Sequence, residues 1–73
     1  MGENLHMSYT ALENQMRSTI SNLSSGTVFF LRDVIINPPA QLGRTLFEEV
    51  QNGTIPNVRY LAKVDGVEQY QKM

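Results

Sequence analysis

The sequence predicts an α+β fold, and three observations carry that expectation. Apolar residues recur at spacings of three and four over residues 8–24 and again over 38–52, as on amphipathic helices. A β-branched and aromatic run, Thr27 to Leu31, lies between those two stretches. Near the end, Asp65-Gly66 separates two alternating segments, the signature of a two-residue hairpin turn. Read in order, the elements are helix, short strand, short helix, turn, longer helix and hairpin. That succession is the plan of a winged helix-turn-helix, with a recognition-type helix followed by a C-terminal β-hairpin wing.

Residues 1–7, "MGENLHM", have no periodicity and are expected to form a flexible leader, with Met7 as an alternative start. Residues 8–73 then make a single winged-helix-like domain. Its first helix can be capped by Ser8 or Thr10, and Thr10 with Glu13 has the form of a capping box. Tyr9, Leu12, Met16, Ile20 and Leu23 fall on one face. That stripe faces the core, or serves in part to pair two subunits, so helix 8–24 is the candidate surface for a homodimer. Gly26 suits a left-handed cap at the helix end.

The strand is expected to stop near Phe30. Arg32-Asp33 is a charged pair that a continuous buried strand accommodates badly. A short helical piece with Leu31, Val34 and Ile35 inward fits better. Pro38 and Pro39 end that piece and suit a new first turn, with Asn37 as N-cap and Pro38 as the first helical residue. The longer helix should run from Pro38 to Asn52, with Leu42, Leu46, Phe47 and Val50 inward. Gly43 beside this stripe would allow close approach of a neighbour, and Gly53 closes the helix. In the hairpin the turn predicts Val64 opposite Val67, Lys63 opposite Glu68, Leu61 opposite Tyr70 and Arg59 opposite Lys72.

Composition narrows the function. The 73 residues suffice for one small domain. There is no cysteine, which excludes disulfides, thiolate chemistry and cysteine-ligated zinc, and a single histidine, His6, has no second to share a metal. No metal or cofactor is expected. No apolar run approaches the roughly twenty residues of a membrane span, and no signal-peptide pattern opens the chain. A cytoplasmic protein of a bacterium, phage or plasmid is the expected source, with no membrane partner.

Catalysis requires a nucleophile with its base, facing carboxylates, or a metal set. Glu48 and Glu49 point about 100° apart on a helix and do not face each other. Ser24 and Ser25 have no histidine near them in sequence, and no phosphate-binding glycine loop occurs. The chain is not expected to be an enzyme, and no catalytic residue is assigned.

The polar side of the longer helix carries the functional expectation. With its leucines inward, Gln41, Arg44, Thr45, Glu48 and Gln51 turn outward. In a winged helix that face enters a major groove, where arginine can fork onto guanine and glutamine onto adenine. Arg59, Lys63 and Lys72 would share one hairpin face and meet the phosphate backbone. The expected DNA-binding residues are therefore Gln41, Arg44, Thr45, Gln51, Arg59, Lys63 and Lys72, and the expected partner is double-stranded DNA.

A second reading stands beside the first. Net charge is −1, from six basic and seven acidic side chains, which opposes strong non-specific attraction to a polyanion. Glu48 and Glu49 would repel phosphates, and Arg44 could pair with Glu48 at i,i+4 instead. The same fold could then serve as a non-enzymatic protein-binding module, such as an antirepressor, inhibitor or assembly factor. Exposure among Phe29, Ile35, Ile36 and Met73 would favour it.

Several pieces also resemble a known group. "GTVFFLRDV", "LGRTLFEEVQNGTIPNV" and the closing Tyr70-Gln71-Lys72 are similar to a family of small uncharacterised winged-helix-like proteins of Gram-positive bacteria, their plasmids and phages. The matching residues are Gly26-Thr27, Phe29, Leu31, Asp33, Leu42-Gly43-Arg44, Phe47, Val50, Gly53, Ile55-Pro56, Val58, Tyr70 and Lys72, within about two-thirds of the chain. Pro38 and Pro39 fall where that family varies. The resemblance implies a compact domain of this architecture more than an activity.

Overall fold

The computed structural model describes residues 8–73. The leader expected over residues 1–7, including His6 and Met7, lies outside the described residues. Three helices and a three-stranded antiparallel sheet make an α+β fold. The order is α1 (Tyr9–Ser21), β1 (Val28–Phe30), α2 (Leu31–Val34), α3 (Ala40–Gln51), β2 (Val58–Val64) and β3 (Val67–Lys72). In the sheet β3 is central, in the order β1-β3-β2.

Ser8 caps α1, its hydroxyl accepting from the Ala11 amide at 3.1 Å, so Thr10 lies inside the first turn rather than at a capping-box position. The expected stripe is the packed one: Met16 and Ile20 are sealed, and Tyr9, Leu12 and Leu23 lie against the core. The helix ends earlier than its periodicity suggests, at Asn22 rather than near Gly26. Gly26 is left-handed all the same (φ +91°), but it serves the entry to β1, where its amide donates to the Lys72 carbonyl at 2.7 Å. A strand contact, not a helix cap, fixes that conformation.

The strand-to-helix change at Phe30 has a local cause. Asp33 reaches back and accepts from the Phe30 amide at 2.8 Å, meeting an amide left open where α2 starts. Arg32 lies over the Phe30 ring, 4.5 Å from its centroid. Val34 and Ile35 are buried and Leu31 half-buried, as the short-helix reading required.

Helix α3 begins two residues later than expected. Asn37 is left-handed (φ +50°) and Pro39, not Asn37, is the N-cap; the first helical residue is Ala40, not Pro38. The residue before a proline is biased away from helix, so Pro39 disfavours helix at Pro38 and delays the start. Leu42 and Leu46 are fully buried, with Phe47 and Val50 half-buried beside them. Asn52 ends the helix, and Gly53 (φ +84°) turns the chain so that the Ile55 amide returns to the Glu49 carbonyl at 3.1 Å.

The hairpin register departs from a continuous ladder. Val64–Val67 and Lys63–Glu68 pair as the Asp65-Gly66 turn dictates, but the ladder then shifts between Tyr60 and Ala62. Ala62 faces Gln69, Tyr60 faces Tyr70, Arg59 faces Gln71 and Val58 faces Lys72. The Leu61–Tyr70 and Arg59–Lys72 pairings are therefore replaced. Leu61 is the extra residue of a bulge. The shift turns Val58 and Tyr60 onto the core face, and it removes the repulsion of opposed Arg59 and Lys72.

Tyr70 sits at the middle of the result. Its ring stacks on Phe29 of β1 (centroids 5.7 Å apart) and meets the edge of Tyr60 of β2 at 5.8 Å. Tyr60 in turn meets Phe47 of α3 edge-on at 5.4 Å. Each aromatic pair adds about 0.5–1.5 kcal/mol beyond its buried area.

A Cβ built at Gly43 would meet Leu31 Cδ2 at 3.9 Å, an ordinary contact. The expected close approach there is thus not one that requires glycine. Gly43→Ala should raise stability by about 0.5–1 kcal/mol through helix propensity, read as a higher denaturant midpoint with unchanged slope.

Candidate functional site

Six polar positions of α3 divide between structural and free roles. Successive residues are about 100° apart around a helix, and this places Thr45 and Glu49 toward α1. The Tyr9 hydroxyl lies 2.6 Å from Thr45 Oγ1, and Thr45 donates to the Gln41 carbonyl at 3.2 Å. Arg17 grips Glu49 in a fork, Nε to Oε1 at 3.0 Å and Nη2 to Oε2 at 2.6 Å. Glu13 stands 3.8 Å from the same guanidinium. Bonding to Glu49, with the charge of both carboxylates, raises the Arg17 pKa against a smaller opposing effect of burial. Two contacts thus lock the rotation of α3 against α1.

The remaining face of α3 is exposed: Gln41, Arg44, Glu48 and Gln51. Among the described residues, no ion pair joins Arg44 to Glu48. Thr45, expected on this face, is half-buried and bonded to Tyr9.

The hairpin cations do not share one face. Directly opposed residues point to the same side of a sheet, so Lys63 (opposite Glu68) and the residues level with Tyr70 face the helices. Arg59, opposite Gln71, faces away. Its guanidinium is held by Gln71 Oε1 at 3.0 and 2.7 Å. The Leu61 bulge is the cause, because it breaks the two-residue alternation between Arg59 and Lys63. Lys72 turns inward to the end of α1, where Nζ donates to the carbonyls of Ile20 (3.2 Å), Ser21 (3.0 Å) and Leu23 (3.1 Å). A cation at a helix C-terminus satisfies open carbonyls and the helix dipole. Lys63 is exposed, with Glu68 3.7 Å away.

The turn between α2 and α3 and the hairpin tip enclose an open cleft of about 590 Å³. Leu31, Leu46, Phe47 and Val67 give it apolar walls, and Arg32, Arg44, Glu68 and Tyr70 add polar groups. Glu68 Oε1 and the Tyr70 hydroxyl are buried with no hydrogen-bond partner. Sequence reasoning missed this group. Arg32 and Glu68 look like ordinary surface charges, and Tyr70 like core, because the cleft joins residues more than thirty positions apart.

Among the described residues, no three histidine, cysteine or acidic side chains gather as a metal site, and no helix is long and apolar enough to cross a membrane. The stripe of α1 packs within its own chain. No family model, curated protein or solved structure matches the chain.

Tyr70, which lines the cleft, and its neighbour Tyr60 both resist ionisation. Burial first, then the charge of Glu68, pushes the Tyr70 phenol well above its ordinary 10.0. Hydrogen bonding of the Tyr60 hydroxyl to the Glu68 carboxylate, then burial and the carboxylate's charge, favours the protonated phenol and raises that pKa too. Above pH 10 an unfolded chain sheds these protons while the folded chain keeps them, so stability should be intact below that pH and fall as pH rises past it. Denaturant midpoints across the alkaline range check this, and Tyr70→Phe should flatten the decline. At neutral pH, Tyr70→Phe should leave stability unchanged or raise it by about 1 kcal/mol, since it removes a buried hydroxyl that has no partner.

Replacing Lys72 by methionine should cost about 1 kcal/mol. The loss should appear as a lower thermal midpoint and faster amide exchange at the end of α1.

Proposed function

We propose that the chain is a small DNA-binding transcriptional regulator of winged helix-turn-helix type. Helix α3 reads a major groove, and the hairpin of β2 and β3 acts as the wing. The observation that carries this reading is the division of α3. Glu49, which would repel phosphates, is turned to α1 and neutralised by Arg17. Gln41, Arg44 and Gln51 are left exposed on the other side, with Glu48 as the one acidic residue among them. The order of elements and a sheet with β3 between β1 and β2 agree with that plan.

The base-reading set is Gln41, Arg44 and Gln51. Arginine and glutamine match guanine and adenine edges respectively. Lys63, exposed and only loosely paired with Glu68 at 3.7 Å, is the hairpin cation suited to a phosphate. Thr45 supports α3 through Tyr9. Lys72 and Arg59 hold the end of α1 and the sheet in place.

A protein-binding role is the second reading, favoured by Ile36, which is 88% exposed, and by Met73 at 56%. Phe29 and Ile35, the other apolar residues that could have served it, are buried in the core.

Mobility shift over a salt series, with DNA from beside the chain's own gene, separates the two. The DNA reading expects binding that weakens as salt rises, through counterion release. Arg44→Ala should remove about 1–3 kcal/mol of sequence preference, and Lys63→Ala should weaken all DNA alike. Absence of binding at low salt, with capture of one protein and no DNA from the native host, would support the second reading.

A further inference from the structure

The cleft between the α2–α3 turn and the hairpin tip has the properties of a small-ligand site. Its volume of about 590 Å³ lies within the roughly 300–1,000 Å³ usual for such sites. Its walls are largely apolar, from Leu31, Phe47 and Val67 among others.

Two residues that line it each carry a buried polar atom without a partner. Tyr70 is 1% exposed and lines the cleft, yet its hydroxyl meets no hydrogen-bonding atom. Glu68 Oε1 is likewise buried and unpartnered, although the carboxylate as a whole is hydrogen-bonded by the Tyr60 hydroxyl. Native proteins rarely leave buried polar groups unmet. A sealed carboxylate oxygen asks for a donor from an occupant, and a phenol can accept from or donate to the same group.

Positive groups also line the cleft. Pro39 and Ala40 line it at the start of α3, where Pro39 supplies no side-chain cap to the first amides. Helix starts of this kind favour anions. Arg44, on the next turn, lines the cleft as well.

We propose that this cleft binds a small aromatic carboxylate that carries a hydroxyl or amino donor at its far end. The carboxylate faces Arg44 and the start of α3. The ring lies on the apolar walls, and the donor reaches Glu68 and Tyr70. An apolar ligand would leave both buried groups unmet, and a cation would oppose Arg44. This site stands whether or not α3 reads DNA.

Titration of the ¹⁵N-labelled chain without DNA tests it, using three probes of one shape: 4-hydroxyphenylacetate, 4-methylphenylacetate and tyramine. The first should shift the Gly43 and Gly66 amides, which line the cleft from α3 and from the hairpin tip, and should saturate. The second lacks the donor and the third replaces the carboxylate, so each should bind about tenfold more weakly. Arg44→Gln and Tyr70→Phe should each weaken 4-hydroxyphenylacetate by roughly five- to tenfold, while Tyr70→Phe keeps or raises the thermal midpoint. A purely structural Tyr70 would leave affinity untouched. Shifts that do not saturate, shifts scattered away from the cleft, equal binding of all three probes, or full affinity in Tyr70→Phe would each overturn the proposal.

Discussion

A single row of aromatic rings across the sheet sets the rest of this structure. Tyr70 on the central strand stacks on Phe29 to one side and meets Tyr60 on the other, and Tyr60 carries the contact on to Phe47 of α3. The row explains the bulge. A continuous ladder from the Asp65-Gly66 turn would put Leu61 opposite Tyr70 and leave Tyr60 on the far face. Accepting one unpaired residue at Leu61 brings a second large ring inward. In a chain this short, where little apolar area is available, a local defect in the ladder costs less than leaving that ring in water. The bulge also decides where the hairpin cations point, so core packing governs the electrostatics of the surface.

Helix α3 is held on three sides by chemically different contacts. Leucines face the core, Phe47 touches the hairpin, and Thr45 and Glu49 bond to α1. The Arg17–Glu49 fork is part-buried and bidentate, the geometry in which an ion pair contributes more than a typical surface pair. Together these contacts fix the rotation of the helix, and its remaining side is polar by subtraction. Such a preorganised face suits recognition, because side chains on a rigid element lose little freedom on binding.

What the sequence disclosed follows from how far each physical signal reaches. Periodic burial is local, so the stripes of α1 and α3 were legible, down to Met16, Ile20, Leu42 and Leu46. The Asp65-Gly66 turn was legible too, and it dictated register for the two nearest pairs. Beyond them packing took over, and no local cue marked Leu61 as the extra residue. The pair of prolines announced a boundary but not its exact place, because Pro39 constrains Pro38 as Pro38 constrains Asn37. The roles of Arg17, Thr45, Glu49 and Lys72 depend on partners more than thirty positions away. A lysine that caps a distant helix reads, in sequence, like any exposed lysine. The cleft was hidden for the same reason, since its unpaired atoms become visible only when Glu68 and Tyr70 are brought under α2 and α3.

The central claim is that α3 presents Gln41, Arg44 and Gln51 outward to DNA while α1 holds its other polar side. Side-chain ¹⁵N resonances address that directly. On titration with duplex DNA from beside the chain's own gene, the side-chain amides of Gln41 and Gln51 and the Arg44 Nε should move, while the Arg17 Nε bonded to Glu49 stays where it is. Movement of Arg17 with the three α3 side chains unaffected, or no movement at any of them, would contradict the account.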